Sequence, residues 1–263
     1  MIKTIFKKMR ARKDTLRGQD WVRLQNAWNR LRRRQMRFAF LDGAYLAQDG
    51  ADRFWFSNPK RARLIRHGLK ARREKLARQY FLDILTFAEG EVVVDVGANV
   101  GEIGMLLRER APGLHYIAFE PGPGEYECLT RNVNGAILHQ IALWYEKGQH
   151  TFYMKSEDGD SSMIDPGGYD FVIEVDCAPL DEVISAEKIK LLKVEAEGAE
   201  PEVLAGAQTT LQRCEYVVVD AGYERGKDQE QTAPVVINMM LRAGFELKTM
   251  SHDRIVLLFR KIS

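Results

Sequence analysis

"EVVVDVGANVGEIGMLL", residues 91–107, passes from a β-branched apolar run into an acid, two glycines four apart and then a helical spacing. "EVVVDV" reads as a buried strand and "EIGMLLRERA" as the helix that follows it. Asp95 falls at the carboxyl end of the strand, and Gly97 and Gly101 permit a tight turn and close approach of a ligand. Asn99 between them tolerates left-handed geometry better than most residues. In open α/β sheets ligands lie beyond the carboxyl ends of the strands, near the point where strand order reverses.

Working outward, strand and helix keep alternating. "HYIAFE", a helix "GEYECLTRNV" and a third strand "AILHQIAL" follow; then "HTFYMKS" and "FVIEVDCAPL" flank the polar loop "EDGDSSMIDPGGYD". "IKLLKV", a helix "PEVLAGAQTTLQR", "CEYVVVDA", a helix around "APVVINMMLRAG" and the strands "FELKTM" and "RIVLLF" close the chain. Nearly continuous apolar strands between helices predict a parallel sheet covered on both faces, and the last two strands fit an antiparallel edge pair. Upstream, Trp21, Leu24, Trp28 and Leu31 mark one face of a helix that "LRRRQMR" extends. "LAQDGADRFWFSNPK" reads as a break, Asn58-Pro59 as a helix start, and Leu76, Tyr80 and Ile84 as a further stripe. The expected division is a basic helical N-terminal extension at 1–88 and an α/β domain at 89–263.

The 263 residues, 45% of them apolar, suffice for a full core. Residues 1–80 carry 23 Lys and Arg against 6 Asp and Glu, the remainder 16 against 31, so a net charge of +2 hides a basic front on an acidic body. No apolar run reaches the eighteen residues of a membrane span, and the basic start lacks the apolar stretch of a signal peptide, so a cytoplasmic location is expected. Cys128, Cys177 and Cys214 are widely spaced, without CxxC pairs or neighbouring histidines, and read as reduced thiols in the core. The five histidines are scattered and no Ser/His/Asp or Cys/His arrangement appears.

The glycines at 97, 101 and 104 lack the dinucleotide spacing G-x-G-x-x-G. Glu102, in the first helical turn, would repel a phosphate and suit a positively charged ligand. Glu120 ends the second strand, 25 residues after Asp95, where a carboxylate can accept both hydroxyls of a ribose, and Pro121 and Pro123 fix the turn beyond it. A nucleoside without phosphate, attached to an amino acid and a sulfonium cation, is S-adenosylmethionine.

"VVVDVGANVGE", "FEPGP", "KLLKVEAEGAEPEVLAGA" and "DAGYERG" occur in this order and together resemble the FkbM family of S-adenosylmethionine-dependent methyltransferases, over residues 74–262. The resemblance implies a Rossmann-like class I methyltransferase fold, α/β, with a mostly parallel seven-stranded sheet and helices on both faces, acting on hydroxyl groups. Relatives occur in macrolide tailoring and among genes for surface polysaccharides. It also implies that Asp95, Gly97, Asn99 and Gly101 line the methionine part, Glu120 the ribose, and Ala142 and Leu143 the adenine, with Ala98, Glu102 and Pro121 in the same cofactor site. Glu195 stands where many members carry an aspartate.

Glu195 and Glu197 follow a buried strand two residues apart and point alike if the strand continues. Methyl transfer is an in-line displacement, so the protein aligns donor and acceptor, and a carboxylate can take the acceptor's proton. Glu197 is the first candidate for that base or for substrate contact, with Glu195 next; an acidic helix start with Glu200 is the other reading of the pair. A divalent metal on these carboxylates stays open without being indicated, since no histidine accompanies them. Ser161 and Ser162 in the polar loop, and Asp220, Tyr223 and Arg225 after the strand "CEYVVVDA", are further substrate candidates, Arg225 for an anionic group or for pairing with Glu224.

The expected substrate is a saccharide, glycan or similar small molecule. The basic N-terminal helices suit packing on the acidic body or a second subunit as a homo-oligomer, or peripheral contact with an anionic membrane surface. Arginines among Trp21, Trp28 and Trp55 offer nucleic acid binding and an RNA methyltransferase as the alternative, disfavoured because no Asn-Pro-Pro-Tyr motif follows the fourth strand. A non-catalytic adaptor for a membrane or partner is the remaining reading.

Overall fold

The computed structural model describes residues 15–155, 161–251 and 254–262. Helix α1 (Gly18–Leu31) leads into a meander of β1 (Arg37–Leu41), β2 (Ala44–Asp49) and β3 (Asp52–Phe56), each antiparallel to the next. A 3-10 turn (Pro59–Arg63) and α2 (Leu69–Gln79) follow. The body runs β4 (Val92–Val96), α3 (Glu102–Arg110), β5 (His115–Phe119), α4 (Pro123–Asn132), β6 (Ile137–His139), β7 (Ala142–Leu143), β8 (Gly148–Met154), β9 (Phe171–Ala178), α5 (Leu180–Val183) and β10 (Ile189–Val194). It ends with α6 (Glu200–Ala205), α7 (Gln208–Leu211), β11 (Cys214–Asp220), β12 (Tyr223–Arg225), β13 (Glu230–Gln231), α8 (Ala233–Arg242), β14 (Phe245–Met250) and β15 (Val256–Lys261).

Seven strands form the main sheet in the order β14-β15-β11-β10-β4-β5-β6, parallel except for β15, which is antiparallel to both neighbours. The chain builds outward from β4 to β6 and then returns to lay β10 on the other side of β4, so strand order reverses between β4 and β10. Alternation divides the strands between two cores. Val94, Val96, Leu192, Val194 and Val217 face one side; Val93, Leu191 and Val218 face the other, under Leu76, Tyr80 and Leu107. By the same alternation Asp95 and Lys193, register partners across β4 and β10, share the side that carries α2 and α3.

Several expectations are corrected here. The N-terminal region is not wholly helical, because residues 37–56 form the meander. Phe38, Tyr45 and Phe56 bury against Trp21, with ring centroids 5.2 to 6.4 Å away, and buried Phe54 stacks on Phe56. Helix α1 stops at Leu31, and Arg33 takes a left-handed φ of 55° where "LRRRQMR" was expected to continue it. The helix buries Trp21, Val22, Gln25 and Asn29 rather than the Leu24–Trp28–Leu31 stripe, and Leu31 is 66% exposed. Polar docking decides this face: Asn26 and Asn29 donate to the carbonyls of Phe38 and Met36 at 2.7 and 2.8 Å. "AILHQIAL" is two strands, since β7 leaves the main sheet to pair with β9 in a small sheet with β8. "PEVLAGAQTTLQR" is likewise two short helices, broken where Gly206 packs on the Trp144 carbonyl.

Residues 15–88 share a core with the body. Val100 and Cys128 belong to the cluster around Trp21, Asn132 bonds both backbone groups of Trp55 at 2.8 Å, and Arg131 lies over the Trp55 ring. Cys128, Cys177 and Cys214 are free and buried. Among the described residues no helix is long and apolar enough to cross a membrane.

Candidate functional site

A cleft of about 350 Å³ opens where β4 and β10 end, at the reversal of strand order. Its floor is Val96, Gly97, Ala98 and Asn99. Phe119, Glu120, Pro121, Ala142 and Leu143 line one end, and Lys193, Glu195, Glu197 and Arg254 the other. Residues 59–80 supply a wall with Arg61, Arg72, Lys75 and Tyr80, and Ser161, Phe152 and Met163 also line the cleft.

Glu120 sits at the end of β5, 6% exposed. Its Oε2 accepts the Asn99 N–H and its Oε1 the Gly122 N–H, each at 2.8 Å. In the ionised form each oxygen keeps acceptor capacity for a ligand. Burial and the neighbouring Glu125 push its carboxyl up to about 8, against the two backbone bonds and Lys193. Asn99 holds the left-handed turn that aims its N–H, with φ 50°, and its Oδ1 accepts from the Val100 N–H.

The glycines of the turn are also required by packing, and Gly97 lines the cleft. A Cβ on Gly97 would stand 1.8 Å from the Glu195 carbonyl oxygen, and one on Gly101 would meet Leu129 and Val133 at 2.7 Å. Both φ values, 68° and 83°, are left-handed. Gly101 starts α3 without itself lining the cleft.

Asp95 lies beneath the cleft rather than in its lining. It is fully buried, accepts the Tyr116 hydroxyl, and stands 2.9 Å from Lys193 Nζ. Lys193 also reaches Glu195 Oε2 at 3.1 Å and donates to the carbonyls of Val96 and Gly97 at 3.1 and 2.8 Å. Burial alone would depress the lysine; Asp95 and Glu195 outweigh it and raise the ammonium above its ordinary range. The ammonium thus braces the turn from below.

Glu195 and Glu197 do not alternate as a continuing strand. β10 ends at Val194, and Glu197 adopts a left-handed φ of 49°, so the backbone folds into a turn. Both still line the cleft. Glu195 pairs with Lys193 and with Arg254 Nη2 at 3.0 Å; burial would raise its carboxyl, but these cations and the Tyr80 hydroxyl hold it lower. Glu200 braces the turn from inside: Oε1 accepts the N–H groups of Ala196 and Gly198 at 3.0 Å, and Oε2 the Thr232 hydroxyl at 2.8 Å.

Of the other candidates, Ser161 lines the cleft, while Ser162 is buried and donates to the Glu197 carbonyl at 2.7 Å. Gly159 and Asp160 of the same loop lie outside the described residues. Asp220 is fully buried outside the lining, with Arg254 Nε 2.7 Å away but not in hydrogen-bond alignment. Burial and Glu195 push it up to about 7; burial and Asp220 push Glu224, also paired with Arg254, up to about 8. Tyr223 is 62% exposed beyond the rim. Arg225 forks onto Glu202 at 2.7 and 2.9 Å, not onto Glu224, and donates to the Gly198 carbonyl.

Glu102 lines the cleft, but it does not give this end a negative charge. Arg61 donates to it at 2.9 Å and Arg72 at 2.7 and 2.9 Å. Burial would raise its carboxyl, yet these bonds hold it below the ordinary range. Trp21 and Trp55 are not bare stacking platforms: the first is 2% exposed and the second lies under Arg131.

Sequence reading missed Tyr80, Arg61, Arg72 and Arg254, and placed Lys193 only within a motif. Lys193 had a signal, since a charge in the otherwise apolar "IKLLKV" must be paired when the strand is buried. The others come from segments distant in sequence. No metal-ligating group of three or more side chains occurs among the described residues.

An open, mostly parallel sheet with its antiparallel strand beside the edge, and a carboxylate-lined cleft at the reversal, define a Rossmann-like α/β protein of the class I methyltransferase type. Residues 95–247 match the Methyltransferase FkbM domain, and the chain belongs to that family. It is 29% identical over 152 residues to Methyltransferase 1 of Beauveria bassiana, covering 47% of this chain and 61% of that protein. It is 25% identical over 178 residues to the 2-O-methyltransferase NoeI of Sinorhizobium fredii, covering 59% and 72%. It is 29% identical over 144 residues to the hexuronic acid methyltransferase AglP of Haloferax volcanii, covering 50% and 56%. The chain therefore spans about three-fifths of the length of the Beauveria relative.

Proposed function

We propose that this chain is an S-adenosylmethionine-dependent O-methyltransferase whose acceptor is a hydroxyl of a saccharide. The observation that carries the reading is Glu120, a carboxylate at the reversal point held by two backbone N–H groups with acceptor capacity left on both oxygens. The cleft volume of about 350 Å³ suits a ligand of nucleoside size. Glu120 would accept the ribose hydroxyls, Ala142, Leu143 and Phe119 would enclose the base, and the Gly97–Asn99 turn would meet the amino-acid end. When bound, S-adenosylmethionine supplies an electrophilic methyl group. The name of the Haloferax relative favours a sugar acceptor, and that of the Sinorhizobium relative favours methylation on oxygen.

Glu197 is the residue proposed to take the acceptor's proton. Glu195 is less suited, since Lys193 and Arg254 hold it ionised and weakly basic. Calorimetry with S-adenosylhomocysteine tests the nucleoside reading, and a folded sample that binds none would end it. Glu197→Gln should leave that affinity within about twofold while lowering kcat by roughly 100- to 10,000-fold. An unchanged kcat would remove Glu197 as the base.

A further inference from the structure

Two guanidinium groups meet one carboxylate on the cleft wall built by residues 59–80. Arg72 forks onto Glu102, Nε to Oε1 at 2.7 Å and Nη2 to Oε2 at 2.9 Å, and Arg61 Nη2 shares Oε2 at 2.9 Å. Their side chains are 12% exposed for each arginine and 10% for the glutamate. The fork of Arg72 alone completes a clamp between α2 and α3, using both oxygens. Arg61 is a surplus charge, nearly closed off from water, and its Nε is buried with no hydrogen-bond partner. Buried charge without compensation is costly and persists where a counter-ion completes it.

Three other acids of the cleft have their own partners. Glu120 is held by the N–H groups of Asn99 and Gly122, Glu125 accepts from the Ser57 hydroxyl, and Glu195 is taken by Lys193 and Arg254. Lys75, exposed on the same wall, adds a second positive charge, and the amino end of α3 reinforces it.

We infer that Arg61 and Lys75 form a carboxylate subsite of the cleft, filled either by the α-carboxylate of the methyl donor or by a carboxylate on the saccharide acceptor. This rests on the methyltransferase reading above. It inverts the expectation that Glu102 makes this end of the cleft favour positive charge.

The test compares S-adenosylhomocysteine with 5′-methylthioadenosine, the same nucleoside thioether without the amino-acid end, by calorimetry on wild type and Arg61→Gln. That variant keeps the Arg72–Glu102 fork as a neutral pair. If the carboxylate is the donor's, S-adenosylhomocysteine weakens about ten- to a hundredfold, the loss of one charge-assisted bond, and methylthioadenosine stays within twofold. If it is the acceptor's, both nucleosides are unaffected and KM rises at least tenfold for methyl glucuronide but not for methyl glucoside. Lys75→Ala, on an exposed side chain, should move the same ligand in the same direction by a smaller factor. Equal loss of both nucleosides, or no change in either arm, overturns the subsite. Wild-type protein that is folded and binds neither nucleoside removes the function and the subsite together, which separates the two failures.

Discussion

Lys193 holds its ammonium between Asp95 and Glu195, at 2.9 and 3.1 Å, with Asp95 closed off from water and Glu195 at the cleft. Lys193→Met would leave Asp95 buried with only the Tyr116 hydroxyl, and breaking a buried pair in this way costs roughly 3–5 kcal/mol. Urea unfolding reads this directly, and a loss below about 1 kcal/mol would mean Asp95 finds another partner. Glu120 carries the opposite kind of strain. Its carboxyl moves from 4.5 to about 8, so the folded chain holds that proton more tightly than the unfolded one. Its contribution is therefore fully present below pH 4.5 and lost as pH rises toward 8. Comparing wild type with Glu120→Gln across this window, without added nucleoside, should show wild type losing stability relative to the variant as pH rises. A flat difference would show that Glu120 is ionised throughout. Asp95 and Glu120 were both legible as strand-end acids, but one lies under the floor and the other lines the cleft. The face of a strand on which a residue falls depends on register, and register is set across strands distant in sequence.

The turn between β10 and α6 is the element on which the proposed chemistry stands. "EAEGAEPE" read as paired acids on an extended strand, yet the left-handed Glu197 and Gly198, at φ 49° and 94°, curl it around Glu200. Glu200→Ala would strand the N–H groups of Ala196 and Gly198 and the Thr232 hydroxyl. A cost of roughly 1–3 kcal/mol in thermal or urea unfolding is expected, with kcat falling because Glu195 and Glu197 lose their placement. Unchanged stability would mean that the turn is self-supporting. Gly198 was legible within a motif, but its reason was not: a Cβ there would meet the Arg225 backbone at 2.5 Å, a contact from 27 residues away. The meander of residues 37–56 was legible in principle, since Phe38/Phe40 and Phe54/Phe56 alternate with period two. Glycines and acids between them look like a loop until three short strands are seen to pair.

At the scale of the molecule, the basic front and the acidic body are joined through the cleft. Arg61, Arg72, Lys75 and Tyr80 form its wall, Arg73 bridges Asp52 and Glu109, and Val100 and Cys128 belong to the same cluster as Trp21. Unfolding should be one transition. In a Trp144→Phe variant, Trp21, Trp28 and Trp55 report the front by fluorescence while circular dichroism follows the whole chain, and the two curves should coincide. Separate midpoints would show that residues 15–88 fold apart from the body. By itself, the sequence determined the alternation of strands and helices, the turn after "VVVDV", the acid at the end of the second strand and the family. Each of these depends on local spacing and chain order. Only the tertiary structure decided which acids face the cleft, that Glu102 is outnumbered by two arginines, and that the basic segment walls the site. Those facts depend on which distant side chains meet, and burial turns an ordinary surface charge into one that must find a partner.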